Sequence, residues 1–337
     1  MVEVAPRADS LPARWRYALA TTNPPAGEID PVTRWLVLTR AGVLPMTLVA
    51  AGQAGLLAAF RDADVAWGWF ALAAVGLVLA HCANNLMNDL FDLDVGNDTA
   101  DYPRNLYAPH PVLSGMITRR GLASAALVVN VACLTIMLAL VVARGWPVAA
   151  FAVGGFALSA AYTAPPLRLK KRGLGEPTVL AVWGPLMVGG TYYAATGTVP
   201  GAVVIASLPY ALLCTTVLMG KHIDKERWDA PAGTNTLPVV LGERRARVAT
   251  QAMFVGFYLL VAALAVARVL PWATLVVVLS LPRLRTVWRA FSEAKPSSSP
   301  VPNPVWPLWF APHAFLLTRR AGGLLVLGLV VGALVGW

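Results

Sequence analysis

The sequence predicts an all-α membrane protein of about nine transmembrane helices, with its N-terminus in the cytoplasm. Three observations lead there. The chain of 337 residues is 57% hydrophobic and only 13% charged, against about 25% charge in a soluble globular chain. Its apolar runs recur at lengths close to the span of about 20 residues that a helix needs to cross a bilayer, and an open sheet cannot satisfy its backbone in lipid. Of the 27 Lys and Arg residues, 24 fall in alternate connections, the asymmetry that marks cytoplasmic loops.

The first 34 residues are polar, contain Pro12, Pro24 and Pro25, and read as a cytoplasmic tail with no cleavable signal peptide. Residues 35–337 read as a single domain. Its candidate spans are 36–60, 66–88, 121–143, 147–164, 177–196, 200–220, 247–267, 269–285 and 321–337. Pro45 is expected to kink the first. The outside turns carry only Arg61, Arg144 and Arg268. The connections 89–120 and 221–246 are long and lie inside, and long loops in compact folds are usually functional. A net charge of +10 on so apolar a chain suits anionic headgroups or an anionic substrate, not nucleic acid. Cys82, Cys133 and Cys214 sit in apolar runs without a CxxC pattern and read as buried small residues. Residues 296–312, PSSSPVPNPVWPLWFAP, are too rich in proline for a straight span, and Trp306, Trp309 and Phe310 fit an interfacial belt. His81 lies deep in the second span, where a packing hydrogen bond and a functional role are both open.

Only 17 acidic residues serve the whole chain, yet Asp89, Asp92, Asp94 and Asp98 crowd into NDLFDLDVGND, residues 88–98. Asn85, Asn88, Asp89 and Asp92 stand at i, i+3, i+4 and i+7, which is one face of a helix. Gly96 permits a turn that returns Asp94 or Asp98 toward the same point. Hard oxygen donors without His or Cys suit Mg²⁺, which shares its shell with waters and substrate phosphates. The plainer reading is an acidic helix end facing solvent. The negative end of the helix dipole and the repulsion among four carboxylates count against it.

The segment GKHIDKERWDAPAGTNTLPVVLG, residues 220–242, sets Asp224 and Asp229 five apart, with Lys221, Lys225 and Arg227 interleaved. A second carboxylate pair facing the first would hold a second Mg²⁺, and metals and lysines would clamp a diphosphate. From this spacing alone a surface loop of mixed charge reads equally well. His222 reads as a supporting or interfacial group rather than a base. In YTAPPLRLKKRGLGE, residues 162–176, Pro165 and Pro166 end a helix, and Arg168, Lys170, Lys171 and Arg172 follow. This run serves as a positive-inside anchor or as an anion contact. Tyr162 would hydrogen-bond an acceptor or line a pocket that accepts aromatics. Arg40, near the inside end of the first span, would snorkel or meet phosphate.

Together these segments resemble the UbiA superfamily of intramembrane prenyltransferases, from about Arg34 to the end of the chain. Asn85-x-x-Asn88-Asp89-x-x-Asp92 resembles the family's first motif, NDxxDxxxD. YTAPPLRLKKRGLGE resembles the loop between its fourth and fifth spans, and DKERWDAPAGTNTLPVVLG its second Asp motif. The resemblance implies Mg²⁺-dependent transfer of a polyprenyl group from its diphosphate to an aromatic acceptor, at the cytoplasmic face of a bacterial-type plasma membrane. It assigns Asn88, Asp89 and Asp92 to one metal, with Asp98 assisting, and Asp224 and Asp229 to another. It assigns Lys170, Arg172, Lys221, Lys225 and Asn85 to the diphosphate, and Tyr162 to the catalytic group. Two departures refine it. Gly96 replaces the last Asp of the first motif, with Asp98 two residues on. That variant, like GLGE and GPLMVGGTYY (184–193), is similar to the branch that prenylates 1,4-dihydroxy-2-naphthoate in menaquinone synthesis. The second motif is Asp-x4-Asp where Asp-x3-Asp is commoner. A terpene cyclase on the same scaffold would share these residues and is the alternative. A transporter is disfavoured, because the carboxylates lie on inside loops rather than at mid-membrane.

Overall fold

A computed structural model describes residues 10–61, 64–94, 108, 110–300 and 305–335, without the side chains of Asp92 and Asp94. The fold is all-α. Near the N-terminus lie α1 (Leu11–Thr21) and α2 (Pro31–Leu38), followed by α3 (Leu44–Arg61), α4 (Trp67–Asp94), α5 (Arg119–Arg144) and α6 (Pro147–Thr163). Then come α7 (Gly175–Ala181), α8 (Met187–Thr196), α9 (Gly201–Asp229), α10 (Leu237–Leu241), α11 (Glu243–Val266), α12 (Leu281–Ser292) and α13 (Phe310–Val335). Among the described residues, six helical runs are long and apolar enough to cross a membrane: Ala41–Arg61, Trp67–Phe91, α5, α9, α11 and α13. α6 is apolar but shorter. The chain is an integral multi-pass membrane protein.

Each departure from the expected spans has a local cause. The first span is broken before Pro45. α2 ends at Leu38, Arg40 takes left-handed backbone (φ 51), and a 3-10 turn at Ala41–Val43 leads into α3. Pro45 falls in the first turn of α3, where its missing N–H is no loss. The expected fifth span is α7 and α8 joined by a π turn at Val182–Leu186, which holds Pro185; proline removes one backbone donor and crowds the preceding turn. The expected eighth span is a 3-10 segment, Trp272–Ser280, running into α12. The last helix starts at Phe310, not at 321. α9 continues to Asp229 instead of stopping at Gly220. The residues after Gly220 include no breaker before Pro231, and Lys, Glu and Arg are good helix formers. The second acidic motif therefore lies on a helix, not a loop.

By internal contacts the chain forms two compact units. The first comprises Met1–Thr47, Val78–Leu134 and Pro296–Leu308. Its core gathers Ala18, Val37, Leu38, Leu86, Leu122 and Val129. Part of the expected tail is ordered into it. Asp30 caps α2 by accepting from the amides of Val32 and Thr33, each at 3.0 Å, and it also accepts from the Trp15 indole at 3.2 Å. Burial opposes ionisation of Asp30, but the hydrogen bonds from the Thr33 hydroxyl and from these donors outweigh it and hold its pKa at about 2.

The second unit comprises Leu48–Leu77, Thr135–Lys295 and Trp309–Trp337. Here Gly328 and Gly332 on α13 let the Thr274 backbone and the Pro271 ring approach closely. In lipid no hydrophobic force draws helices together, so small residues that allow close packing carry more weight.

Candidate functional site

The predicted site residues fall in both units. In the first, α4 is continuous, so Asn85, Asn88, Asp89 and Asp92 share the face that their spacing predicts. Asn85 donates through Nδ2 to the Thr39 carbonyl at 2.8 Å. That bond holds the break beside Arg40, whose guanidinium pairs with the Asp89 carboxylate. Asp89 is 1% exposed, and a carboxylate so buried needs a partner. His110, also buried, donates from Nε2 to the Asp89 carbonyl at 2.9 Å, while its Nδ1 accepts from the Val112 amide at 3.2 Å. These two partners assign the neutral imidazole with its proton on Nε2. Sequence reasoning left Arg40 between two readings and missed His110. The available signal was a histidine set between two prolines on the long 89–120 connection. His81 makes a packing bond, with Nδ1 2.7 Å from the Thr47 hydroxyl.

The first cluster suits Mg²⁺ by its chemistry. Asn88 and Asp89 bring oxygen donors of the hard kind that Mg²⁺ prefers. Asp98 and the side chain of Asp92 lie outside the described residues. Among those described, no group of three or more His, Cys, Asp or Glu gathers to hold a metal.

In the second unit, the end of α9 has two faces. Five residues on a helix turn by about 140°, so Asp224 and Asp229 stand on different faces of α9. Asp224, 2% exposed, accepts from the Phe310 amide at 3.1 Å and the Ala311 amide at 2.9 Å. The Lys295 ammonium lies 3.4 Å from the same carboxylate. Burial pushes the Lys295 pKa down, and Asp224 pulls it back up. On the other face, Lys225 lies one turn before Asp229, at 3.9 Å. His222, seven residues before Asp229, shares that face. Its Nδ1 is 2.7 Å from Glu176 Oε1, and Glu176 is itself 1% exposed. Lys221, half-buried, precedes Lys225 by one turn.

The basic loop is built against this second face. Arg168, with left-handed backbone (φ 43), starts the 3-10 turn Leu169–Lys171. The Arg172 guanidinium braces the turn by donating to the Pro166 carbonyl at 3.0 Å, and its backbone pairs with Asn235 in a single bridge. At Gly175 three residues converge. A Cβ there would lie 3.3 Å from the Tyr162 ring, 3.5 Å from the His222 ring and 3.6 Å from the Lys170 Cα. Sequence alone gave no reason for Tyr162 and Lys170 to meet, and it missed Glu176 as the partner of His222.

Known proteins are similar to this chain in sequence and fold. Over 275 residues the chain is 28% identical to 2-carboxy-1,4-naphthoquinone phytyltransferase of Synechocystis sp., covering 78% of this chain and 85% of that one. It is 30% identical over 227 residues to 1,4-dihydroxy-2-naphthoate octaprenyltransferase of Escherichia coli, covering 65% and 72%. A UbiA homolog from Archaeoglobus fulgidus, solved with GPP and Mg²⁺, superposes with a TM-score of 0.56 at 18% identity, covering 87% of this chain and 99% of that one; this is a likeness of fold. Residues 43–301 match the UbiA prenyltransferase family, and the chain, a prenyltransferase by this match, belongs to that family.

Proposed function

We propose that the protein transfers a polyprenyl group from its diphosphate to an aromatic acceptor of the 1,4-dihydroxy-2-naphthoate class, with Mg²⁺, at the cytoplasmic face of a bacterial-type plasma membrane. The observation that carries this reading is the likeness, over most of both chains, to an enzyme named as a naphthoquinone phytyltransferase.

The residues divide the work. Asn88, Asp89, Asp92 and Asp98 would hold Mg²⁺, which would neutralise charge on the departing diphosphate. Asp229 is the carboxylate we assign to a second metal, and not Asp224, whose oxygens accept from the Phe310 and Ala311 amides. Lys170, Lys221 and Lys225 attract the phosphate oxygens as fixed charges. Arg172 adds positive potential while bracing its turn, and Asn85 holds the chain break that aims Arg40 at Asp89. In the reaction the C1–O bond of the prenyl diphosphate breaks and diphosphate keeps the electron pair. An acceptor ring carbon bonds to C1 and releases its proton. Tyr162 lines the acceptor side, where its hydroxyl donates to an acceptor oxygen. Apolar helix faces house the isoprenoid tail.

The test is product analysis. Purified protein in detergent receives Mg²⁺ and geranylgeranyl diphosphate, with and without 1,4-dihydroxy-2-naphthoate. A prenylated naphthalenediol, recovered as the naphthoquinone after air oxidation of the extract, is expected only with the acceptor. A hydrocarbon or terpene alcohol formed without it would make the chain a cyclase instead.

A further inference from the structure

We propose that Asp224 is a positioning residue that anchors the start of α13 on α9, and that it is not a metal ligand. The metal half of this statement rests on the Mg²⁺ reading above; the anchoring half does not. Three observations, all within one compact unit, carry it.

The first is that three donors already hold the carboxylate, out of about four acceptor sites. Oδ1 accepts from the Phe310 amide and Oδ2 from the Ala311 amide. The first amides of a helix have no partner within it, and a negative charge at that end is favoured by the dipole. Asp224 thus supplies, from another helix, the cap that Trp309 has no side-chain oxygen to give. Lys295 adds the countercharge at 3.4 Å and also donates to the Asp224 carbonyl at 3.2 Å.

The second is steric. Gly220 precedes Asp224 by one turn, on the same face. A Cβ at Gly220 would lie 2.8 Å from the Ala311 nitrogen. The start of α13 therefore rests on α9 at Gly220 and is held at Asp224. Trp228, one turn further along this face, has Lys295 5.8 Å from its ring, and Phe310 packs on Phe291 of α12 with ring centroids 4.9 Å apart. Gly220 and Asp224 form one continuous seat for the last helix.

The third is register. The residue one turn before Asp229, where an Asp-x3-Asp motif would place its first carboxylate, is Lys225. The extra residue in Asp-x4-Asp moves the first aspartate off the face of Asp229 and onto the seat of α13. A metal at Asp224 would have to compete with two backbone amides and an ammonium.

The test uses the full chain in detergent, with two readouts: Mg²⁺ binding by calorimetry and the thermal midpoint. Asp224→Asn keeps one acceptor oxygen, and Asp224→Ala keeps none. Mg²⁺ stoichiometry and affinity are expected to stay within about twofold of wild type in both. The midpoint is expected to fall by about 4 °C or more for Asp224→Ala, with Asp224→Asn between Ala and wild type. Loss of a bound Mg²⁺, or a drop in affinity of about tenfold or more, would overturn the inference. Lys295→Gln is the second variant, for use where Asp224 variants fail to fold. If Asp224 is an anchor, Lys295→Gln lowers the midpoint and leaves Mg²⁺ binding alone. If Asp224 is a ligand held back by its lysine, Mg²⁺ binding tightens, and the inference falls. Should the wild type bind no Mg²⁺, the Mg²⁺ reading fails, and the ordering of the midpoints still decides the anchoring.

Discussion

Two long apolar helices, α4 and α9, both end in aspartates, and the two ends are built for different work. On α4 the spacing i, i+3, i+4, i+7 keeps Asn85, Asn88, Asp89 and Asp92 on one face. On α9 the spacing of five splits Asp224 from Asp229. The first arrangement concentrates oxygen donors. The second gives one carboxylate to a helix seat and leaves the other beside Lys225. Composition would rank the two motifs as equals; helical register separates them.

Several changes would break or sharpen that contrast. Asp92→Ala removes an oxygen donor from the concentrated face. Turnover is expected to fall by about 10²–10³-fold or more, with expression retained, as read by single-turnover diphosphate release; near-normal release would remove Asp92 from the metal. Arg40→Gln leaves Asp89 buried without its countercharge. The expected cost is about 3 kcal/mol of stability, seen as a lower thermal midpoint. Gly220→Ala pushes a methyl against the Ala311 nitrogen and should cost about 1–3 kcal/mol. Its effect should not add to that of Asp224→Ala, because both unseat α13; additive losses would separate the two. The smallest effect belongs to Asp30, a cap on its own helix rather than a neighbour's. Asp30→Ala should cost about 1 kcal/mol. The Asp30 pKa is depressed to about 2, below the unfolded value of about 3.9. Its contribution is therefore fully present above about pH 4 and is lost as pH falls through about 2. An acid titration of the midpoint in wild type, flattened in Asp30→Ala, checks the sign.

What was legible in the sequence follows the same division. The helical class, the apolar runs and the face of the first motif depend on periodicity, which a sequence displays directly. The left-handed break at Arg40, the reach of α9 to Asp229 and the early start of α13 depend on local competition between breakers and helix formers. The pairs Arg40 with Asp89, Glu176 with His222, and Asp224 with the α13 amides join residues 46 to 87 positions apart. No spacing rule encodes such pairs. The departure from Asp-x3-Asp was visible, but its consequence appeared only when Phe310 and Ala311 were placed against Asp224.

The most direct test sets Asp89→Asn beside Asp224→Asn and follows diphosphate release as Mg²⁺ is titrated. The asymmetry of the two motifs predicts that Asp89→Asn loses about 10²-fold or more in turnover and needs more Mg²⁺ for half-saturation. It predicts that Asp224→Asn keeps the wild-type half-saturating Mg²⁺ concentration. Equal shifts in Mg²⁺ requirement for both variants would contradict it.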